Sequence, residues 1–274
     1  MIQNLKVFFT KLKSGTEYLN YGREIILEWA IDYIIKNYKI KNQKSFTILD
    51  QGCGHGDDLI NISSEVKKRN LPVKVQLIGI ENYELYVNEC KQKGIKVYSL
   101  DIEKDWYPFK DQSIDIIISN QVLEHTKEIF WIVEQFTRIH KPDGILIVGV
   151  PNLASLHNRI LLLFGQQPTA QQSLGPHVRT FTLPDLKVFL ETNQFYKFLD
   201  RKGSNFYPFP PTISRVLAKM FPSLAWGLFA KFQRTEKKGR FIDYLQENLL
   251  ETPFYGSPQN PAKYYVPARN HRKK

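Results

Sequence analysis

Between residues 46 and 150, short apolar runs alternate with longer segments whose apolar positions recur every three or four residues. The short runs predict buried strands at Phe46–Leu49, Val75–Ile80, Val97–Leu100, Ile114–Ser119 and Gly144–Val150. The segments between them predict helices at Leu59–Arg69, Tyr86–Lys93 and Ile129–Ile139, with Gly94 as a C-terminal stop. Lys141-Pro142-Asp143-Gly144 predicts a turn ahead of the last of these strands. Upstream, Ile25, Ile26, Trp29, Ala30, Tyr33 and Ile34 recur at helical spacing, which predicts a helix over 23–37. Such alternation implies an α/β fold with a mostly parallel, doubly wound sheet and helices on both faces.

After Pro151 the pattern loosens. It predicts a short helix at Asn158–Phe164, a Gln/Pro-rich loop over Gln166–His177, and a helix at Leu183–Thr192 capped by Thr182. Strands follow at Phe195–Arg201 and Ala225–Phe232, with a helix-like stretch at Ser214–Met220 and a short helix at Phe241–Leu250. Three units result. Residues 1–40 are expected to be a helical segment covering a ligand site. Residues 41–235 are the main domain, with insertions at about 152–182 and 203–224 forming a lid. Residues 236–274 are a basic, poorly packed extension.

Composition narrows the class. The chain has 274 residues, 42% hydrophobic and 24% charged, which is ordinary for a globular protein. Cys53 and Cys90 are the two cysteines and read as buried thiols rather than a disulfide framework or a zinc pattern. No apolar run is long enough to cross a membrane, and the first residues lack a leader pattern, so a cytoplasmic protein is expected. The charge is uneven. Residues 201–274 carry 14 basic and 4 acidic side chains, net +10, while residues 46–200 are slightly acidic. Nucleic acid is disfavoured as a partner because no recognition motif accompanies the basic excess. The inner face of an anionic membrane is compatible with it.

Chemistry concentrates in Thr47-Ile48-Leu49-Asp50-Gln51-Gly52-Cys53-Gly54-His55-Gly56-Asp57-Asp58-Leu59. A strand runs into a glycine-dense turn and then a helix, so backbone can approach a ligand closely. The spacing is not G-x-G-x-x-G, and no Gly-Lys-Ser/Thr follows. An acidic residue at 57 also opposes a phosphate. A ligand without phosphates, still recognised through ribose and adenine, fits better.

Asp50-x-Gly52-x-Gly54-x-Gly56 resembles the first motif of class I S-adenosylmethionine-dependent methyltransferases. Four further segments agree in order: Ile78-Gly79-Ile80-Glu81, Leu100-Asp101-Ile102, Ser113–His125, and Lys141–Asn152. The resemblance covers roughly residues 40–200. It implies a Rossmann-like sheet of seven strands, the last antiparallel, with Ala225–Phe232 as that strand. It implies S-adenosyl-L-methionine as cofactor, held by Asp50, Gly52, Cys53, Gly54, Gly56, Glu81 with Asn82, Asp101 with Ile102, and Asn120 with Gln121. Glu81 would take the ribose diol and Asp101 the adenine amino group.

Softer likeness to methyltransferases of cell-surface polysaccharide and lipid-glycan gene clusters lies in Pro151-Asn152…Asn158-Arg159…His177-Val178-Arg179-Thr180-Phe181-Thr182. It implies methyl transfer to an oxygen of a small-molecule acceptor, a glycan or lipid-linked sugar. The rivals are a quinone-precursor or other aromatic O-methyltransferase, and a cofactor-binding regulatory protein without turnover. His125 is the candidate base, with His177 next. Glu124, Asn152, Arg159 and Arg179 are candidate acceptor-side residues, with a surface pair to Asp185 as the bland alternative for Arg179. Glu124-His125 with His177 is similar to the ligand set of some RNA 2′-hydroxyl methyltransferases, but those place a Glu where this chain has Gln121, so no metal is expected. His55 reads as a ligand-facing spacer in the turn and His140 as a surface residue. Oligomeric state is left open.

Overall fold

The computed structural model describes residues 22–169 and 171–247. These form a seven-stranded sheet in the order β3-β2-β1-β4-β5-β7-β6. The strands are β1 (Ser45–Gln51), β2 (Lys74–Ile80), β3 (Lys96–Tyr98), β4 (Ile114–Asn120), β5 (His140–Pro151), β6 (Tyr196–Ser204) and β7 (Gly227–Arg234). The pairings from β3 through β5 are parallel. β7 runs antiparallel between β5 and β6, as the expected last strand, and it opens at Gly227 rather than Ala225. Strand order reverses between β1 and β4, where the carboxyl edge of such a sheet offers a crevice.

Two apolar layers close the sheet. On one face, α1 (Arg23–Lys41), α2 (Asp57–Lys68) and α3 (Glu84–Gln92) bury Ile26, Trp29, Ile34, Leu59, Ile62 and Cys90 against Phe46, Ile48, Ile116 and Ile118. On the other, α4 (Ile129–Ile139) and α6 (Leu183–Glu191) bury Trp131, Val133, Phe136 and Leu186 against Leu49, Ile117 and Leu146. α4 starts and ends where its periodicity predicts. α6 is capped as expected, the Thr182 side chain accepting from the Asp185 N–H.

Several expectations change. Lys141-Pro142-Asp143-Gly144 is not a turn outside the sheet but a kinked part of β5, with Asp143 at φ 65° and a register shift against β4. Lys141 Nζ lies 2.8 Å from both oxygens of the buried Asp115, which ties the bend to β4. His140 is fully buried, not a surface residue; its Nδ1 is 3.1 Å from the Tyr196 hydroxyl. Burial pushes its imidazole down to about 3.

The segment expected to cover the site, residues 1–40, is described only in its second half. Residues 1–21 lie outside the described residues, and α1 packs flat on a sheet face, where only its first residues approach the glycine turn. In the extension past 235, residues 236–239 are exposed and the packing resumes at 241. Phe241 and Ile242 are buried, and the Ile242 N–H reaches Glu134 Oε2 at 3.2 Å, ahead of α8 (Asp243–Glu247). Residues 248–250 of the predicted short helix fall outside the described residues.

The two insertions, holding α5 (Leu156–Leu163) and α7 (Pro211–Met220), both sit at the sheet's carboxyl edge, since β5 and β6 end there and β7 starts there. They pack together through Phe206, Ala218 and Ala225, with Leu156 against them.

Candidate active site

β1 delivers the chain to a turn whose glycines differ in duty. Gly52, Gly54 and Gly56 all have left-handed backbone, φ 69°, 50° and 76°. A Cβ on Gly52 would lie 2.5 Å from a Val122 methyl, and one on Gly56 would overlap Ile95 and Cys90. A Cβ on Gly54 would meet nothing within 4 Å. Gly52 and Gly56 are therefore dictated by packing, while Gly54 faces open space at the carboxyl edge.

α2 begins directly after the turn with Asp57 and Asp58 in its first turn. Arg23 sits 3.0 Å from Asp57 and 3.7 Å from Asp58. This helix terminus is already occupied by carboxylates, which removes it as a phosphate site. Asp50 is buried just below; burial first, then Asp58, hold its carboxyl well above the usual range, against the pull of Arg23. Asn120 donates to Asp58 Oδ2 at 3.2 Å and so faces the same cluster.

Glu81 stands at the end of β2. Its Oε2 accepts the Gly54 N–H at 2.9 Å, and its Oε1 accepts the N–H groups of Asn82 and Tyr83 at 2.8 and 2.9 Å. Asp101 follows β3; it accepts the Glu103 N–H at 3.0 Å and pairs with Lys104 at 2.9 Å. Ile102 is half-buried beside it. Cys53 turns inward, 3.9 Å from the Cys90 sulfur, and its N–H is taken by the Ile80 carbonyl, so it contributes packing. His55 pairs with Glu89 at 2.6 Å and packs on Tyr86 rather than standing over the turn.

Beyond β4 the chain kinks at Gln121, φ 58°, and enters a tight 3₁₀ turn, Leu123–His125. Glu124 is 1% exposed, yet neither carboxylate oxygen has a hydrogen-bond partner among the described residues. Burial pushes its carboxyl up to about 7. Its backbone carbonyl accepts the N–H groups of Val178 and Arg179 at 2.9 and 3.1 Å. This draws His177 onto His125, with ring centroids 4.7 Å apart. His125 Nδ1 is 3.3 Å from the Pro176 carbonyl oxygen, and burial lowers its imidazole, which keeps it neutral. The donor atoms of Glu124, His125 and His177 all lie within 4.8 Å of one another.

The other acceptor-side candidates are braces. Arg179 donates to the Thr126 and Lys127 carbonyls at 3.2 and 2.6 Å, not to Asp185. Both amide protons of Asn152 are committed, to Ser223 O and Ala225 O at 2.9 Å each, because this residue fastens the two insertions together. Arg159 is exposed on α5 and donates to Ala154 O at 2.7 Å.

Sequence reasoning passed over a buried relay beneath the crevice. Gln51 donates to the Tyr107 hydroxyl at 2.8 Å and accepts from Ser119 at 3.0 Å. It fixes the ends of β1 and β4 and the loop after β3 relative to one another. The signal was a glutamine at the apolar end of a buried strand.

Among the described residues the crevice is thus lined by carboxylates, and the cations beside the glycine turn, Arg23 and Lys93, are paired with Asp57. Open space over Gly54, a carboxylate at Glu81 and another at Asp101 suit a cationic sulfonium ligand with a ribose diol and an adenine, so the residues fit S-adenosylmethionine. Residues 32–204 match the sequence model of the family described as methionine biosynthesis protein MetW. An uncharacterized protein of Methanocaldococcus jannaschii is 31% identical over 138 residues, 50% of this chain and 54% of that protein. A protein of Mycolicibacterium smegmatis, named a probable S-adenosylmethionine-dependent methyltransferase, is 26% identical over 151 residues, 54% of this chain and 51% of its own. The chain spans about half the length of these curated relatives. Among solved structures, the complex between the Haloferax volcanii Trm112 methyltransferase activator and its methyltransferase matches with a TM-score of 0.53 and 12% identity, covering 86% of this chain and 97% of that one. This likeness establishes the methyltransferase fold. No helix among the described residues is long and apolar enough to cross a membrane.

Proposed function

The chain belongs to the family described as methionine biosynthesis protein MetW, with a class I S-adenosylmethionine-dependent methyltransferase fold, and on that premise we propose that it transfers a methyl group to an oxygen of a small-molecule acceptor. The observation that carries this reading is the pairing of two dissimilar ends in one crevice. An acidic glycine turn lies on one side, and a pair of imidazoles beside a buried carboxylate lies on the other.

When bound, S-adenosylmethionine supplies a methyl group already activated by its sulfonium. The chain's residues bind, orient and keep out water. Gly54 presents bare backbone to the ligand, Glu81 accepts the ribose hydroxyls while still bracing the turn, and Asp101 accepts from the adenine amino group. His125, held neutral by burial, takes the proton of the acceptor hydroxyl as the methyl group is transferred. The insertions carrying α5 and α7 cover the acceptor.

A lipid-linked acceptor is supported by the outer faces of those insertions. Leu162, Leu163 and Phe164 at the end of α5, and Ile213, Val216 and Met220 on α7, are exposed beside Arg159, Arg215 and Lys219. Apolar side chains edged with cations suit the surface of an anionic bilayer.

The test is calorimetry with S-adenosylhomocysteine, followed by transfer of labelled methyl to a panel of hydroxyl-bearing glycans, lipid-linked sugars and dihydroxy aromatics. Saturable binding is expected, weakened on the order of tenfold or more by Glu81→Gln, which removes a charge-assisted acceptor. His125→Ala should lower turnover by roughly 10²–10⁴-fold with binding retained. Absence of binding at about 1 mM ligand refutes the reading.

A further inference from the structure

We infer that Glu124, His125 and His177 form a binding site for one divalent transition-metal cation at the acceptor end of the crevice, an inference that rests on the proposed activity only for its catalytic consequence. The carboxylate of Glu124 is taken out of water and its two oxygens find no hydrogen-bond partner on any other described residue. Buried carboxylates are normally paired, hydrogen-bonded or coordinated, because an uncompensated one costs several kcal/mol. Here two imidazoles stand beside it, their donor atoms within 4.8 Å. His125 Nε2 lies 4.0 Å from Glu124 Oε1. That is too long for a hydrogen bond, and it is about the separation of two ligands on either side of one ion with bonds of about 2.0–2.2 Å.

The third donor is placed by backbone rather than chance. The Glu124 carbonyl holds the N–H groups of Val178 and Arg179, and Arg179 in turn grips the Thr126 and Lys127 carbonyls. His177 is thereby locked beside a turn 52 residues earlier in the chain. A hydrogen bond from His125 Nδ1–H to the Pro176 carbonyl fixes the tautomer that leaves Nε2 with its lone pair, the usual outer support of a metal-binding histidine. Two imidazole nitrogens and one carboxylate select zinc, iron, cobalt or manganese over magnesium or calcium. Three protein ligands leave coordination positions open for an acceptor oxygen.

A hydroxyl bound there would be acidified, as water is on such ions. Its proton leaves to solvent, the oxygen forms a bond to the methyl carbon, the sulfur–carbon bond breaks, and its electron pair stays on sulfur. The cation thereby replaces the base that the proposed activity otherwise assigns to His125.

The probe is cobalt(II), titrated into full-length protein freed of metal by chelation and followed by visible absorption, with zinc as competitor. Saturable 1:1 binding tighter than about 100 µM is expected. It should be lost, or weakened at least tenfold, in Glu124→Gln and in His177→Ala. The variants' thermal unfolding and S-adenosylhomocysteine binding confirm that they are folded. Because Glu124 is buried, His125→Ala at an exposed position serves as a second ligand knockout. No saturable binding overturns the site, and so does binding that survives all three substitutions. Metal binding without cofactor binding would leave the site standing and sink the methyltransferase reading; cofactor binding without metal would do the reverse.

Discussion

Gly54→Ala separates the ligand-facing part of the glycine turn from its structural part. The residue has φ 50°, and a left-handed alanine costs roughly 1–2 kcal/mol. Its added methyl meets nothing within 4 Å, so packing adds no further penalty. At roughly 2–4 °C per kcal/mol for a chain of this order of size, the melting temperature should fall by about 2–8 °C. Gly56→Ala has the same strain, but its methyl overlaps Ile95 and Cys90, an overpacking worth roughly 1–3 kcal/mol more. Stability should therefore fall further in Gly56→Ala, while affinity falls further in Gly54→Ala, whose methyl occupies the space the cofactor needs.

Differential scanning calorimetry and titration with S-adenosylhomocysteine read the two quantities independently. For Gly54→Ala the Gly54 N–H can still donate to Glu81, so any loss of affinity reports the methyl itself. A loss of at least about tenfold, or 1.4 kcal/mol, is expected. If Gly54→Ala binds within about threefold of the parent protein while melting lower as calculated, the space above Gly54 faces solvent and the placement of the cofactor is wrong.

Two other outcomes follow. His140 and His157 are buried and their imidazoles are pushed down to about 3 and about 4. The unfolded chain takes up these protons near pH 6.5 and the folded chain does not, so stability is full above pH 6.5 and is lost as pH falls toward 4, by up to about 1.4 kcal/mol per pH unit for each residue. Urea midpoints from pH 7.5 down to 4.5 should fall, and His140→Gln should flatten the slope; an unchanged slope in that variant shows that His140 is not the group responsible. Separately, co-sedimentation with vesicles containing anionic lipid should occur at low salt and weaken at high salt, and Leu163→Glu with Val216→Glu should abolish it; no binding at low salt removes the bilayer from the account.

The parts of this fold legible in the sequence are those set by local periodicity and by backbone geometry. The run Ile114–Ser119 is dominated by isoleucine, and it is buried throughout between two parallel strands, Asp115 and Ser119 included. The Gly52–Gly54–Gly56 turn could be recognised because three left-handed residues in five require glycine. The failures share a different cause. Lys141-Pro142-Asp143-Gly144 has the composition of a surface turn, yet Asp115, buried one strand away, pairs with Lys141 and pulls the segment into the sheet. His140 reads as polar, and its burial rests on partners distant in sequence, the Tyr196 hydroxyl and the backbone of Asp115. Asn152 sits where an acceptor could be met, but the loop before β7 takes both of its amide protons.

The same distinction explains why the acceptor end of the crevice was half visible. His125 could be singled out because it follows the fourth strand, and Glu124 because it precedes His125. What makes them chemically unusual is nonlocal. Residues 176–179 return to that turn, bond the Glu124 backbone carbonyl and bring a second imidazole beside His125. A residue's type and its neighbours in sequence determine what it can ligate or protonate. Which second imidazole stands beside them is set by a loop some fifty residues away. It follows that changes in the 176–179 loop that preserve His177 but lose the Val178 and Arg179 bonds to the Glu124 carbonyl should displace His177 from His125 and weaken cobalt binding without touching any of the three ligands.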